Sequence, residues 1–442
     1  MKKVLISAYA CIPNVGSEEE TGWIYARLLS QNNTEVHCLT QQKGKAAIDP
    51  ILQAGLYPNF TVHYVVVPDW VEKAYHKGLP GLYFHYLYWQ WVASQLAIQL
   101  NQRHQFDLVH HITYGSLQLG SFMYRLGKPF IFGPVSGGQQ APESMKQYFG
   151  KYWGRERMRA RIGRLMEYVN PGFYKTLHKA DRVIVTNADT YWLARRFRPE
   201  QPIERILDAG ISVSFLPQPP VEHVPGKVLK LLWVGRMLPR KALELTIQAL
   251  GQVDAALPVE LTIVGGRGDL ADQVPHYIRQ YGVSNRVNWV GHVTHDEVKG
   301  FFRESDVFFF TSLRDSGPHQ LMEAMAYSLP IVTLDLHGQA EIVSVSTGIK
   351  VPVTTPDRVA ADLARAIEWM AAHPTERLMM GRQAFEFALT QLWETKIRRF
   401  IDVLYPAVLN PSRVNESIDL EEDAMVSGMK ANSTGNRVIK AH

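Results

Sequence analysis

Two carboxylates stand eight residues apart in the run Thr311-Ser-Leu-Arg-Asp315-Ser-Gly317-Pro-His-Gln-Leu-Met-Glu323-Ala-Met-Ala. An apolar stretch at 307–311 precedes the run and a helix-period pattern follows it, so it reads as the loop between a strand and a helix. In a parallel α/β sheet such a loop lies at the carboxyl ends of the strands, where free backbone amides and the helix dipole face a ligand. Asp315 in the loop and Glu323 in the first turns of the helix can both reach the hydroxyls of one ligand. A plain reading also fits, with Asp315 capping the helix and Glu323 an ordinary helix acid.

Arg236 and Lys241 follow another apolar run, 229–234, in Val234-Gly-Arg236-Met-Leu-Pro-Arg-Lys241. Fixed cations in a closed cleft stabilise the charge that gathers on a departing diphosphate without having to reorganise. This pair suits that task; solvated surface cations are the alternative. Gly291 ends the run 287–290, and Gly265-Gly-Arg-Gly268 is a glycine-rich turn that either approaches a phosphate or is a plain turn.

The first half has its own candidates. Gly16 lets backbone approach a bulky ligand, and Ser17 with Glu20 three residues on reads as a capping box for the next helix. His110 and His111 close the run 108–111, as site residues or as structural histidines. Gly133, Gly137 and Gly138, in Phe132-Gly-Pro-Val-Ser-Gly-Gly138, form a tight turn that lines a cleft or is purely structural.

The elements that must carry these residues come in a regular order. Apolar, β-branched runs at 3–8, 35–39, 61–66, 108–111, 130–132 and 182–186 read as buried strands with helical patterns between them. The rhythm restarts at 229–234, 260–264, 287–290, 307–311 and 331–334. Strand then helix, repeated, predicts an α/β protein of two Rossmann-like, doubly wound domains facing a central cleft. A length of 442 residues agrees, being more than one core comfortably fills. The expected division is an N-terminal domain at 1–215, a proline-rich linker at 216–226 and a C-terminal domain at 227–385. A helix at 386–409 then returns toward the first domain, and a polar, disordered tail occupies 410–442.

Composition narrows the setting. Hydrophobic residues make up 46% and charged residues 20%, and no window has the roughly 18 uncharged apolar residues of a membrane span. Cys11 and Cys38 are the only cysteines, too few for a disulfide framework or a structural zinc site, so a reducing, cytoplasmic location is expected. The net charge of +5 is modest but concentrated: Lys146, Lys151, Arg155, Arg157, Arg159, Arg161 and Arg164 crowd one stretch. With Met158, Ile162, Leu165 and Met166 on one helical face, residues 146–166 read as an element lying on an anionic membrane surface, or as a helix packing inward. The aromatic run 83–91 stacks a ligand or forms a core helix face. No nucleic-acid partner is expected.

The spacing of Asp315, Glu323, the following Ala-Met-Ala, Leu329-Pro-Ile-Val and Gly338-Gln-Ala-Glu341-Ile-Val343 resembles the signature of glycosyltransferase family 4. The resemblance runs over nearly the whole chain. It implies a GT-B fold and transfer of a sugar, with retention, from a UDP- or GDP-hexose to a hydroxyl of a saccharide or lipid-linked acceptor, in surface polysaccharide or glycolipid synthesis. No cofactor and no metal are implied, in keeping with the lack of an Asp-x-Asp motif in the globular part. The implied roles are Asp315 on the sugar, Glu323 on the ribose, and Arg236 and Lys241 on the diphosphate. Gly16, Gly291, Gly317 and Glu341 fall in donor-binding segments, and His110 or His111 in the catalytic histidine strand.

The sequence departs from the family pattern at four places. Asp315 stands where Glu is usual, Pro318 where a Gly offers its N–H, Ala242 where a Gly follows the lysine, and Ile112 where the second histidine would fall. The alternatives are a nucleotide-sugar epimerase of the same fold and a catalytically silent nucleotide-sugar-binding protein.

Overall fold

The computed structural model describes residues 1–410. Among the described residues, thirteen strands form two wholly parallel sheets. In the first, β1 (Lys2–Ala8), β2 (Thr34–Gln41), β3 (Phe60–Val65), β4 (Leu108–Thr113), β5 (Phe130–Val135), β6 (Arg182–Val185) and β7 (Ile203–Arg205) lie in the order β3-β2-β1-β4-β5-β6-β7. In the second, β8 (Leu229–Val234), β9 (Val259–Val264), β10 (Val287–Gly291), β11 (Val307–Phe310), β12 (Ile331–Leu334) and β13 (Gly348–Val351) lie in the order β10-β9-β8-β11-β12-β13. Helices cover both faces of each sheet, which is why the central strands are nearly continuous apolar runs. This is the GT-B architecture of two Rossmann-like domains.

Strand order reverses between β1 and β4 and again between β8 and β11, so each sheet opens a crevice at the carboxyl ends of those pairs. Two strands escape the sequence pattern, β7 and β13. Both are short edge strands, Ile-Glu-Arg and Gly-Ile-Lys-Val, whose polar residues blunt an exposed edge.

The chain crosses between the domains more often than a single linker requires. The 3₁₀ run Glu143–Tyr152 places Met145, Tyr148 and Phe149 in the core of the second domain, where the Tyr148 hydroxyl donates to Gln248 Oε1 at 2.6 Å. At the other end, helix Pro374–Thr390 stops before Leu392, which is extended and pairs with Ile211 in an isolated bridge. Helix Trp393–Arg399, a π turn at Phe400–Leu404 and helix Tyr405–Leu409 then pack Trp393, Ile397, Phe400 and Tyr405 against Val4, Ile6 and Tyr25 of the first domain. The returning segment is thus broken where a single helix was expected. The tail at 411–442 lies outside the described residues. Among the described residues no helix is long and apolar enough to cross a membrane.

Candidate active site

A cleft of about 1160 Å³ separates the domains, lined by the carboxyl-end loops of β1 and β4 on one side and of β8, β9, β10 and β11 on the other. Both topological switch points therefore open into one space.

On the second-domain wall, the turn after β8 carries Arg236, exposed in the cleft, and then the 3₁₀ turn Pro239–Lys241. Lys241 is buried. Its Nζ donates to Asp315 Oδ2 at 2.6 Å, and Arg240 Nη1 donates to the same oxygen at 2.9 Å. Burial alone would raise the Asp315 carboxyl, but the charges of Lys241 and Arg240 overcome it and hold it well below the usual carboxylate range. Burial pushes Lys241 down to about 8, although Asp315 pulls the other way. Ala242, next in the chain, has φ 45° and starts helix Leu243–Gln252 from a left-handed conformation that favours glycine.

The loop after β11 is held from beneath. Gln339 Nε2 donates to the Ser312 carbonyl at 2.8 Å, and Ser312 Oγ donates to Asp315 Oδ2 at 3.2 Å. Gly317 has no room for a side chain, since a Cβ there would stand 2.0 Å from Asp208 Oδ1. Pro318 occupies the N-cap position of helix His319–Ala326. Glu323, on that helix, lines the cleft, and His295 Nε2 donates to its Oε1 at 3.3 Å. The Glu323 hydrogen bond raises the His295 imidazole.

The first-domain wall contributes Gly16, which has φ 71° and is the N-cap residue of helix Ser17–Ser30. The N-cap falls one residue before the sequence reading, on Gly16, which has no side chain to complete a capping box: the Gly16 N–H donates to Glu20 Oε2 at 3.0 Å, and Ser17 is already the first helical residue. Glu18 Oε1 accepts from the Gly115 N–H at 2.8 Å, fixing the turn after β4. Leu79, Tyr83, Leu119 and Met166 add an apolar side to this wall.

Several expected site residues sit elsewhere. His110 is fully buried in β4, with Nδ1 2.9 Å from the Tyr405 hydroxyl and Nε2 2.7 Å from the Gly133 carbonyl, and burial pushes it down to about 4. His111 is equally buried and pushed down to about 3 by burial and by His110; Ile112, Thr113 and Tyr114 line the cleft in their place. Alternation along β4 turns the two rings to opposite faces of the sheet, into the two layers of helix packing. Gly133 and Gly138 do not line the cleft; a Cβ on them would meet the Ile184 carbonyl at 2.0 Å and the Asp189 carbonyl at 2.3 Å. Gly137 lines it, under Gln118.

Gly291 is also set back. Its carbonyl accepts from the Gly265 N–H at 2.7 Å, and its φ of 86° turns the chain so that His292 and Val293 reach the cleft. Glu341 faces the first domain: its carboxylate accepts from the Ala188 N–H, the first residue of helix Ala188–Phe197, and lies 3.8 Å from Arg205. A carboxylate at a helix N-terminus is a favourable placement, and here it ties one domain to the other.

The structure adds groups the sequence pattern did not single out. Arg240 has no family-like spacing of its own, and only the turn geometry brings it to Asp315. Arg314 Nε lies 2.6 Å from Glu156 Oε1, and Arg159 Nη2 donates to that oxygen at 3.0 Å, so the loop after β11 grips the basic helix Trp153–Val169. Asp208 stands between the domains, its Oδ2 accepting from Ser316 Oγ at 3.3 Å, and burial pushes it up to about 7.

A nested set of cations and acids thus lies at the carboxyl ends of β8 and β11, opposite a partly apolar wall. Residues 217–387 match the family of glycosyl transferases group 1. The matched family and the relatives found with it are those of transferase enzymes. A putative colanic acid biosynthesis glycosyltransferase, WcaL of Salmonella typhimurium, is 29% identical over 147 residues, 32% of this chain and 36% of its own. The chain spans between about a third and three fifths of the length of the first curated relatives it matches. Among solved structures, a sucrose-phosphate synthase from Thermosynechococcus elongatus superposes with a TM-score of 0.64 at 16% identity, covering 93% of this chain and all of that one. The Anabaena protein HepE, solved in complex with UDP, gives 0.59 at 16% identity over 91% and 98%. At these identities the structural likeness speaks for the fold alone.

Proposed function

We propose that the protein is a retaining glycosyltransferase that moves a hexose-type sugar from a UDP- or GDP-sugar to a hydroxyl of a saccharide or lipid-linked acceptor. The observation that carries this reading is the convergence of Arg236, Arg240 and Lys241 with Asp315 and Glu323 in one interdomain cleft. The cations take the diphosphate, Glu323 accepts from the ribose hydroxyls, and Asp315 accepts from the sugar. As the bond from the anomeric carbon to the diphosphate breaks, negative charge grows on the leaving oxygen, and fixed cations in a partly dry cleft stabilise it. The acceptor oxygen bonds to the same carbon, and its proton leaves to the departing diphosphate. The chain's own cations serve the charge in this scheme, so no metal is invoked at the diphosphate.

The match to group 1 glycosyl transferases and the named relative in polysaccharide synthesis support a role in surface polysaccharide or glycolipid synthesis. UDP bound to HepE makes uridine nucleotides the first donors to test. Helix Trp153–Val169 supports peripheral membrane contact: Met158, Leu165, Tyr168 and Val169 are exposed beside the exposed Arg157 and Arg161. Residues 143–152 pack into the second domain, so this contact is confined to the helix itself.

The apolar wall of Leu79, Tyr83 and Met166 favours transfer over epimerisation, because an epimerase acts on the donor alone and needs no acceptor subsite. The test is to screen UDP, GDP and ADP and their sugars by thermal shift, then to incubate the stabilising nucleotide-sugar with and without acceptor mixtures. Release of nucleotide that depends on acceptor supports transfer. An isomerised sugar without acceptor, or tight binding with no turnover, overturns it.

A further inference from the structure

The first domain holds a second cluster of chemistry-bearing side chains, on the side of the sheet away from the cleft. Glu35 and His37 lie two residues apart near the start of β2, so both leave the same face. In the parallel pairing of β2 with β3, Leu39 stands opposite His63, which places His63 on that face as well. The 27-residue helix Gly78–His104 ends here, bringing the His104 ring within 4.3 Å of the His37 ring, centroid to centroid. One ligand atom each from Glu35, His37 and His104 lies within 4.8 Å of the other two.

We propose that Glu35, His37 and His104 form a binding site for a first-row divalent transition ion, zinc fitting best, with His63 as the residue that orients His37. Two imidazoles and one carboxylate form a donor set suited to a borderline ion; calcium and magnesium favour all-oxygen shells. Three protein ligands leave a fourth tetrahedral position to water. His37 Nε2 already stands 3.0 Å from Glu35 Oε1, about the separation that two ligands roughly 2.0–2.2 Å from one zinc ion adopt.

The other ring nitrogen of His37 is also provided for. Its Nδ1 lies 2.9 Å from His63 Nε2, the kind of outer partner that fixes the tautomer and ring orientation of a metal-bound histidine. Lys3 Nζ sits 3.5 Å from Glu35 Oε2, leaving Oε1 toward the histidines. His37 is buried, whereas Glu35 and His104 are half-exposed, so an ion has an entry path and His104 is free to close onto it.

The site is a clamp rather than part of the transfer reaction. A helix of this length rises roughly 40 Å at about 1.5 Å per residue, and its opposite end carries Leu79 and Tyr83 into the cleft. An ion at His104 fastens the far end of that helix to β2 and β3, which is a tie between elements that backbone hydrogen bonds do not join.

The test uses the untagged full-length chain, equilibrated with zinc and freed of excess by gel filtration. One equivalent of zinc is expected to remain, and binding of Co(II) to the metal-free chain is expected to give the visible bands of a four-coordinate ion. His104→Gln should weaken zinc binding at least tenfold and abolish the rise in Tm that zinc produces, with nucleotide-sugar binding unchanged. Glu35→Gln provides the same readout at the opposite side of the site if the first variant misfolds. Absence of stoichiometric zinc, or zinc affinity unchanged in a folded variant, overturns the assignment.

Discussion

The Nζ of Lys241 lies 2.6 Å from Oδ2 of Asp315, across the gap between the turn that follows β8 and the loop that follows β11. The contact joins the two sides of the second domain's switch point. It keeps Asp315 ionised, and on the proposed reading it holds a cation where a diphosphate develops charge. Removing this charge should therefore be felt in the transition state. Lys241→Ala and Glu323→Ala are each expected to lower kcat/KM for transfer at least tenfold, or about 1.4 kcal/mol in the barrier. Initial-rate kinetics on the preferred nucleotide-sugar decide this, and unchanged turnover in both variants would falsify the site assignment.

The same lysine sets a pH limit. Because burial pushes Lys241 down to about 8, its charge is present below that pH and lost above it. Transfer should fall on the alkaline side with an apparent pKa near that value, and Lys241→Arg, whose charge persists, should lose that limb of the profile. An identical alkaline limb in the arginine variant assigns it to another group.

Asp208 predicts an effect on stability. Its folded pKa is raised to about 7 from an ordinary value of 3.8, so between these pH values the folded state binds the proton that the unfolded state has released. Stability therefore declines as pH rises through this window. Asp208→Asn removes the dependence and should be more stable than the parent at pH 7 and above, relative to pH 4. Denaturant titrations at four or five pH values provide the comparison; parallel curves for the two proteins count against it.

Glu341 is expected to act on domain docking. With its carboxylate on the Ala188 N–H, Glu341→Ala removes one partner from the start of a helix that Asn187 still caps, a change worth about 1 kcal/mol. The variant should unfold at lower temperature while its KM for the donor stays within about twofold. A tenfold rise in KM without loss of stability would return Glu341 to the donor site.

The exposed stripe on helix Trp153–Val169 is open to a simple measurement. Met158→Ser with Leu165→Ser should reduce sedimentation with vesicles containing anionic lipid, and Arg157→Gln with Arg161→Gln should reduce it further at low salt. Equal partitioning to neutral vesicles, or none to either kind, removes the membrane contact from the functional reading.

The sequence by itself determined the two parallel sheets, because central strands buried on both faces must be written as apolar runs, and 229–234 and 331–334 coincide with β8 and β12. It also determined which loops of the second domain open on the cleft, since loops that follow strands carry their polar residues openly, as at Arg236, Lys241, Asp315 and Glu323. Only the tertiary structure decided which residues near those loops face the cleft. His110 and His111 stand two positions and one position before Ile112, which lines it, and a strand's alternation sends their rings into the cores. Glu341 turned to the other domain, and Arg240 reached Asp315, through contacts between residues far apart in the chain, which local spacing does not encode. The cluster of Glu35, His37 and His104 belongs to the same class: its members come from a strand and from a helix end some seventy residues later, and only packing brings them together.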